Sequence, residues 1–290
     1  MLYFTYFRGN AHHMFDGATA RYNVRAVSTR NWVNFSTPHD ITPAGFCSPD
    51  SPVRWRNSTI IAFQAYPDVV LGGRRSGLFF SRKRWGKGIL REHWTTPKPF
   101  LQEVLQLPWN DAQRAIDPTL IVDAQDRLHC FFVGSTNIKN KIRRRANVLG
   151  HAVTEDPSLR EWRVVTRKEP LLGVSERAPD GVENVAIFRL SDDGVQGGEQ
   201  YIMIYSEGLD TQHLAHAVSH DLMRWEDRGI IHVPLQRWMR GRYGAPYVWD
   251  DGGCLVMALM GESEVETHMS SIGLLSSTNG TDWVLFPEAS

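Results

Sequence analysis

Short apolar runs separated by polar turns dominate the chain, and this pattern predicts a protein built from β-strands. One apolar run starts at Asp117-Pro118, turns over 123–126 and returns over 128–133. Another starts at Glu183 and returns over 200–206. Each pair predicts a hairpin whose first strand opens on a carboxylate, so Asp117 and Glu183 would occupy the same place in two copies of one unit. Only the segment 100–107 predicts a brief helix.

A second repeated feature is a strand that ends in Ser or Thr and is followed by a polar turn and a tryptophan. The five copies lead to Trp32, Trp85, Trp162, Trp225 and Trp283. Each tryptophan would start the outer strand of a unit and cover the edge of its sheet. Five copies therefore predict five units.

The strand heads recur at a matching interval. Asp50, Asp117, Glu183 and Ala245 follow one another at steps of 62 to 67 residues. A period of that length holds four short strands with their turns, which is the size of one blade of a β-propeller. We therefore predict an all-β, five-bladed β-propeller that forms a single domain over residues 1–290.

The first unit lacks its innermost strand. The run Leu2-Tyr3-Phe4-Thr5-Tyr6-Phe7 is typical of the second strand of a blade, the equivalent of 128–133. The innermost strand of the first blade, with any acid at its head, would then precede residue 1. Two explanations stay open: the chain is a shortened gene product, or another segment fills the gap.

Composition narrows the function classes. Positive and negative side chains balance at 32 each, so charge gives no basis for binding nucleic acid or an acidic membrane. No run reaches the roughly 18 apolar residues of a membrane span. No signal peptide is visible, which leaves the localisation open. Cys47, Cys130 and Cys254 are far apart and odd in number, which favours reduced thiols over a disulfide framework or a metal site.

These features resemble the five-bladed propeller glycosidases of family 43 and their relatives in families 32, 62, 117 and 130. The resemblance spans nearly the whole chain and rests on the turn from Ser219 to Glu226, the Ala-Ile-Asp-Pro head at Asp117 and the acid head at Glu183. It implies a glycoside hydrolase, with Glu183 as the general acid and Asp117 as the residue that tunes its pKa and orients substrate. Glu183 is followed by Asn184-Val185, where family 43 usually has Gly-Pro.

Cleavage of a glycosidic bond needs a protonated carboxyl for the leaving oxygen and an ionised carboxylate that activates water; for inversion they lie about 6.5–9.5 Å apart. Acids that head the innermost strands of different blades would meet at one mouth of the central channel. A carboxylate beside the acid raises the pKa of that acid, and Asp117 would act on Glu183 in this way. The resemblance implies an inverting enzyme. The base Asp that the family carries on its first blade has no counterpart here, so we expect the activity of this chain to be weak or absent.

Other residues are candidates by position. Asp50, in Ser-Pro-Asp, is a third catalytic candidate. Arg242 resembles the channel arginine of these enzymes and would hold a sugar hydroxyl or a carboxylate. Gln64 and Tyr66 end the second strand of the second blade, where they would contact a sugar. His268 would face the channel, where some relatives hold a hydrated calcium ion; apart from that ion we expect no cofactor. The expected partner is an oligosaccharide, and the oligomeric state stays open.

Two alternative functions also stay open. A basic run could capture phosphate in a glycoside phosphorylase, which would explain the missing base; it comprises Lys139, Lys141, Arg143, Arg144 and Arg145. The other alternative is a non-catalytic carbohydrate-binding propeller. His12-His13 with Asp16 has the spacing of metal ligands, but the segment is typical of a loop.

Overall fold

The fold is described from a computed structural model of the chain. The residues it describes are 1–7, 22–32, 34–65, 76–87, 93–137, 145–190, 200–208, 212–264 and 270–286.

Twenty strands form five separate antiparallel sheets within these residues. The first sheet has the order β1 (Leu2–Phe7), β2 (Tyr22–Val27) and β3 (His39–Asp40). The second contains β4 (Phe46–Cys47), β5 (Val53–Trp55), β6 (Ser58–Ala65), β7 (Gly77–Arg84) and β8 (Lys98–Pro99). Its order is β4-β6-β7-β8, and β5 also pairs with β6.

The other three sheets have four strands each, in chain order. The third contains β9 (Ile116–Val122), β10 (Leu128–Asn137), β11 (Arg145–Thr154) and β12 (Arg163–Val164). The fourth contains β13 (Val182–Leu190), β14 (Gln200–Glu207), β15 (His213–Ser219) and β16 (Glu226–Ile231). The fifth contains β17 (Arg242–Asp250), β18 (Leu255–Glu262), β19 (Ser270–Ser277) and β20 (Val284–Leu285).

Five small sheets make the protein an all-β, five-bladed β-propeller, as the sequence predicts. The predicted brief helix is a 3-10 helix at Gln102–Gln106, and a second one lies at Arg237–Met239. The three cysteines are free thiols, as predicted. Among the described residues, no helix is long and apolar enough to cross a membrane.

The residues divide into two compact units. One comprises 1–139 and 149–171, and the other comprises 140–148 and 172–290. In the first unit, strands of the first and second sheets bury a core around Val24, Phe63 and Phe79. In the second unit, the fourth and fifth sheets bury a core that includes Ile204 and Met257. That residues 1–290 form a single domain stays a prediction.

One hydrogen bond recurs between neighbouring blades. The backbone N–H of Ser48 donates to Thr5 Oγ1 at 2.8 Å, and that of Asp117 donates to Gln64 Oε1 at 2.7 Å. In the second unit, the N–H of Ala245 donates to Ser206 Oγ at 3.1 Å. Gln64 and Ser206 lie on β6 and β14, the strands that follow the first strand of their sheets.

Thr5 makes the same bond from β1, so β1 holds the place of a second strand in the first sheet. Within the described residues, β2 is the only strand paired with β1. Among the described residues no strand occupies the innermost place of the first sheet, and the predicted loss of that strand from the chain stays a prediction.

The tryptophan turn is present in the last three blades. The indole N–H groups of Trp162, Trp225 and Trp283 each donate to the carbonyl three residues earlier, at 3.1 Å. In each copy that earlier residue, Leu159, Leu222 or Gly280, has a positive φ. Each tryptophan immediately precedes the outer strand of its sheet. Three of the five predicted copies are thus confirmed.

The prediction is wrong for the first two copies. Strand β7 continues through Ser81 to Arg84, because Ser81 and Lys83 point into the protein while Arg82 and Arg84 are more exposed. Trp85 is 54% exposed, and the Arg54 guanidinium lies 3.8 Å from the centre of its ring. Trp32 has a positive φ itself, and no described strand starts directly after it.

Candidate functional site

The heads of four blades share a backbone irregularity. Ser48, Asp117, Asn184 and Ala245 all have a φ between 46° and 52°, in the left-handed region. The pairing of β13 with β14, and that of β17 with β18, skips a residue at this point. An irregularity at the head of a strand changes the direction of its side chains. It therefore sets which residue presents its side chain at each blade head.

This geometry corrects the predicted equivalence of Asp117 and Glu183. Glu183 pairs with Ser206, and Gly244 pairs with Met260, each one residue before the left-handed position. Asp117 is itself at the left-handed position, so its equivalent in the fourth blade is Asn184. The spacing of the repeats placed the two acids at equivalent positions, because the sequence does not show the change of register at the irregularity.

Two amide side chains hold the Glu183 carboxyl group. Asn147 Nδ2 donates to Oε2 at 2.6 Å, and Gln212 Nε2 donates to Oε1 at 2.5 Å. Asn147 lies on β11, and Gln212 directly precedes β15. Glu183 itself is half-buried. Each carboxyl oxygen therefore accepts an amide proton, and the two bonds together fix the orientation of the group.

A glycine makes room for each amide residue. An added Cβ at Gly181, which has a φ of +86°, would lie 1.8 Å from the Asn147 carbonyl oxygen. An added Cβ at Gly244 would lie 2.6 Å from Gln212 Oε1. Neither site has space for a side chain. Asn147 and Gln212 therefore reach Glu183 because two neighbouring strand starts carry glycine.

An ion-pair network fixes the chain around this site. Arg177 donates from Nε and Nη2 to the two Glu207 oxygens at 2.6 and 2.7 Å, and from Nη2 to Asp227 at 2.7 Å. His213 Nε2 lies 2.8 Å from Glu207 Oε2. A bidentate pair of this kind with a buried carboxylate is strongly oriented. It connects the segment before β13 to the residue that follows Gln212.

The Asp117 head is built differently. Its backbone N–H bonds the buried Gln64, and the residue itself is half-buried. The position equivalent to Glu183 in the second blade is Cys47, which pairs with Gln64. Burial, followed by the charge of Asp117, raises the pKa of Cys47 to about 12, so this thiol stays protonated at neutral pH. The predicted contact between Gln64 and a sugar stays a prediction.

Asp50 anchors the backbone of the next blade. Its Oδ2 accepts a hydrogen bond from the Leu120 N–H at 2.5 Å. The residue is half-buried, yet its carboxyl lies among enough protein atoms that burial raises its pKa to about 7. By the left-handed positions, Asp50 aligns with Thr119, two residues after Asp117. Its catalytic role stays a prediction.

Arg242 bonds to a carboxylate on the neighbouring strand of its own sheet. Arg242 Nη2 donates to Glu262 Oε1 at 3.2 Å, its cross-strand partner on β18. Tyr66, His268, His12-His13, Asp16 and the basic residues 139–144 lie outside the described residues, and Arg145 is exposed at the start of β11. Among the described residues, no group of three or more His, Cys, Asp or Glu side chains could hold a metal ion.

Sequence reasoning missed Asn147 and Gln212. They lie 36 and 29 residues from Glu183 along the chain, and neither belongs to a motif. The usable signal was the pair of glycines, since Gly181 and Gly244 both sit at predicted strand heads.

No protein-family model matches the chain, and no curated protein sequence does either. Several solved structures do match. An α-L-arabinanase of Cellvibrio cellulosa matches with a TM-score of 0.62 at 14% identity, over 99% of this chain and 96% of the arabinanase. A thermostable family-43 glycoside hydrolase matches with a TM-score of 0.61 at 16% identity, over 93% and 90% of the two chains.

A family-32 β-fructofuranosidase of Bombyx mori also matches, with a TM-score of 0.60 at 14% identity. The match covers 84% of this chain and 49% of the fructofuranosidase. At these identities the likeness shows the fold. It confirms the resemblance to five-bladed propeller glycosidases at that level.

Proposed function

We propose that this protein is a glycoside hydrolase that cleaves glycosidic bonds in oligosaccharides, with Glu183 as the general acid. The observation that carries the proposal is the Glu183 carboxyl group, held by two amides at a blade head. The fold supports it, because several of the solved structures that match are glycosidases. Fold alone does not determine function, so the proposal depends on the chemistry of Glu183.

In the proposed reaction, Glu183 gives its proton to the leaving glycosidic oxygen as the bond to the anomeric carbon breaks. A water molecule adds to that carbon from the opposite face, which inverts its configuration. Asp117 keeps the modulating role that the family resemblance implies. The attacking water gives up a proton to the solvent, because the role of base is assigned to none of the described residues. After the reaction Glu183 is a carboxylate, and the two amides then donate to a full negative charge.

The first substrates to test are arabinose-containing oligosaccharides. One matching structure is an arabinanase in complex with arabinohexaose. That ligand belongs to the arabinanase, and for this chain it serves as a starting point. Xylo- and fructo-oligosaccharides extend the panel, since a family-32 enzyme also matches.

The test is the dependence of the rate on the leaving group. A general acid matters most when the leaving oxygen is strongly basic, and little when it is a dinitrophenolate. We expect Glu183→Gln to lower turnover of unactivated oligosaccharides by about 10²–10⁴-fold. Turnover of the dinitrophenyl glycoside should change far less. Azide or formate added to both assays can replace a weak or absent base.

The control is Glu226→Gln, which removes an exposed carboxylate paired with Arg228 and should leave both rates unchanged. Equal losses on both substrates would contradict the acid role. Turnover that requires inorganic phosphate would favour the phosphorylase. Oligosaccharide binding without turnover of any substrate, unchanged in Glu183→Gln, would favour the non-catalytic alternative.

A further inference from the structure

The Gln212 side chain donates one hydrogen bond to Glu183, and its carbonyl oxygen lacks a partner among the described residues. Its Nε2 donates to Glu183 Oε1. The side chain is buried, with 4% of the residue exposed. Its carbonyl oxygen Oε1 is buried and has no hydrogen-bond partner within the described residues. A buried acceptor without a partner destabilises a fold, and such groups are rare in proteins.

We propose that Gln212 is a positioning residue for Glu183, placed to stabilise its carboxylate rather than the fold. This inference rests on the proposed function, in which Glu183 alternates between acid and carboxylate. When the O–H bond of Glu183 breaks, the proton goes to the leaving oxygen and the electron pair stays on the carboxylate. The Gln212 amide then donates to a charged oxygen, and such bonds are roughly twice as strong as neutral ones.

The fifth blade is shaped to accept this amide. Gly244 occupies the position on β17 that Glu183 occupies on β13. An added Cβ there would lie 2.6 Å from Gln212 Oε1 and 2.7 Å from Ser206 Oγ. The missing side chain therefore provides the space into which Gln212 extends.

The segment that carries Gln212 is also anchored from the other side. His213, the next residue, lies 2.8 Å from Glu207, which Arg177 holds with two hydrogen bonds. With the backbone fixed at His213 and the side chain enclosed beside Gly244, few orientations of the amide are left. The one adopted directs Nε2 at Glu183.

The test is Gln212→Met, which keeps the length of the side chain and removes the donor. Glutamate side chains are labelled with ¹³C at the carboxyl carbon, and the Glu183 signal is assigned by its loss in Glu183→Gln. We expect the titration midpoint of Glu183 to rise by on the order of one pH unit, because a donor to the charged form is lost. The thermal midpoint of the variant should stay equal to that of the wild type or rise, because the unpaired carbonyl is also lost.

The matched control is Gln236→Met. Gln236 is half-buried, and its Nε2 donates to the Pro234 carbonyl instead of a carboxylate, so the Glu183 midpoint should not move. Gly244→Ala is a second variant that displaces the Gln212 amide without changing Gln212, and it should raise the midpoint in the same direction. A Glu183 midpoint unchanged in Gln212→Met, or a Gln212→Met chain that no longer folds, would overturn the inference.

The titration needs no turnover, so the two proposals fail separately. If no substrate is hydrolysed but the Glu183 midpoint rises in Gln212→Met, the hydrolase proposal is wrong and the pairing of Gln212 with Glu183 stands. If substrates are hydrolysed and the midpoint is unchanged, the reverse holds. If both respond, the limb of the pH–rate profile that reports the acid should shift upward with the midpoint.

Discussion

The head of β9, with Asp117, and the head of β13, with Glu183, share a backbone form and differ in what their neighbours hold. Both contain a left-handed residue within the first three positions. At the head of β9, side chains bind the backbone: Gln64 accepts from the Asp117 N–H and Asp50 from the Leu120 N–H. At the head of β13, side chains bind the carboxyl group of Glu183 itself.

Comparing the two strand heads distinguishes contacts that maintain the repeated fold from contacts that serve a chemical role. The recurring backbone bond, made by Thr5, Gln64 and Ser206, maintains the repeat. The amides at Glu183 have no counterpart in that recurring bond. A residue whose side chain is held by partners outside the repeat is the better candidate for function, because the repeat alone does not account for those partners.

The largest expected loss of stability comes from a substitution just before β13. In Gly181→Ala the added carbon would lie 1.8 Å from the Asn147 carbonyl oxygen, at a φ of +86°. We expect a loss of about 3 kcal/mol or more in the free energy of unfolding, from strain and overpacking together. Urea denaturation followed by tryptophan fluorescence measures it.

Gly229→Ala is the matched control for that loss. Gly229 has a φ of +87°, and an added Cβ there meets no atom within 4 Å. The Gly229→Ala variant therefore measures only the cost of a positive φ at alanine, about 1 kcal/mol. Equal losses in the two variants would show that Asn147 is not held in place by the glycine.

The sequence predicts the blade count and most strand heads because these depend on local features. An apolar run, a turn and a tryptophan three residues after a left-handed position are all encoded within ten residues. The prediction failed at Trp85, where the alternation of Ser81 and Lys83 with two arginines extends β7 beyond the expected turn. A shared Ser and Trp do not indicate whether the strand between them has ended.

The candidate site is less predictable, because its partners come from other strands. The carboxylate of Glu183 is visible in the sequence, but its hydrogen bonds depend on register and on the absence of side chains at two glycines. For the same reason the sequence aligned Asp117 with Glu183, although its equivalent is Asn184, one residue later. An irregular strand head changes register without any marker in the sequence.

A smaller effect tests the head of β9. Gln64→Met keeps the volume of a side chain that is 1% exposed but removes the acceptor for the Asp117 N–H. We expect a loss of about 2 kcal/mol, the cost of leaving a backbone donor unpaired. Ser206→Ala removes the equivalent, longer bond to Ala245 at 3.1 Å, and we expect about 1 kcal/mol. If Gln64→Met is as stable as the wild type, the recurring bond does not maintain the blade head.

The smallest effect concerns Asp50, the second side chain that binds the backbone of β9. Burial raises its pKa from 3.8 to about 7, so the folded chain binds this proton more tightly than the unfolded chain does. Its contribution therefore favours folding at low pH and is lost as the pH rises from about 4 towards 7.

Asp50→Asn removes this pH dependence and keeps an oxygen that can accept from Leu120. Allowing for the partial exposure of the residue, we expect the stability of the wild type to fall relative to Asp50→Asn by on the order of 1 kcal/mol between pH 5 and pH 7. Denaturation curves at several pH values measure the difference. A difference that is constant across this range would mean that the Asp50 carboxyl ionises as easily in the folded chain as in the unfolded chain. The head of β9 would then be held in place by a charged carboxylate.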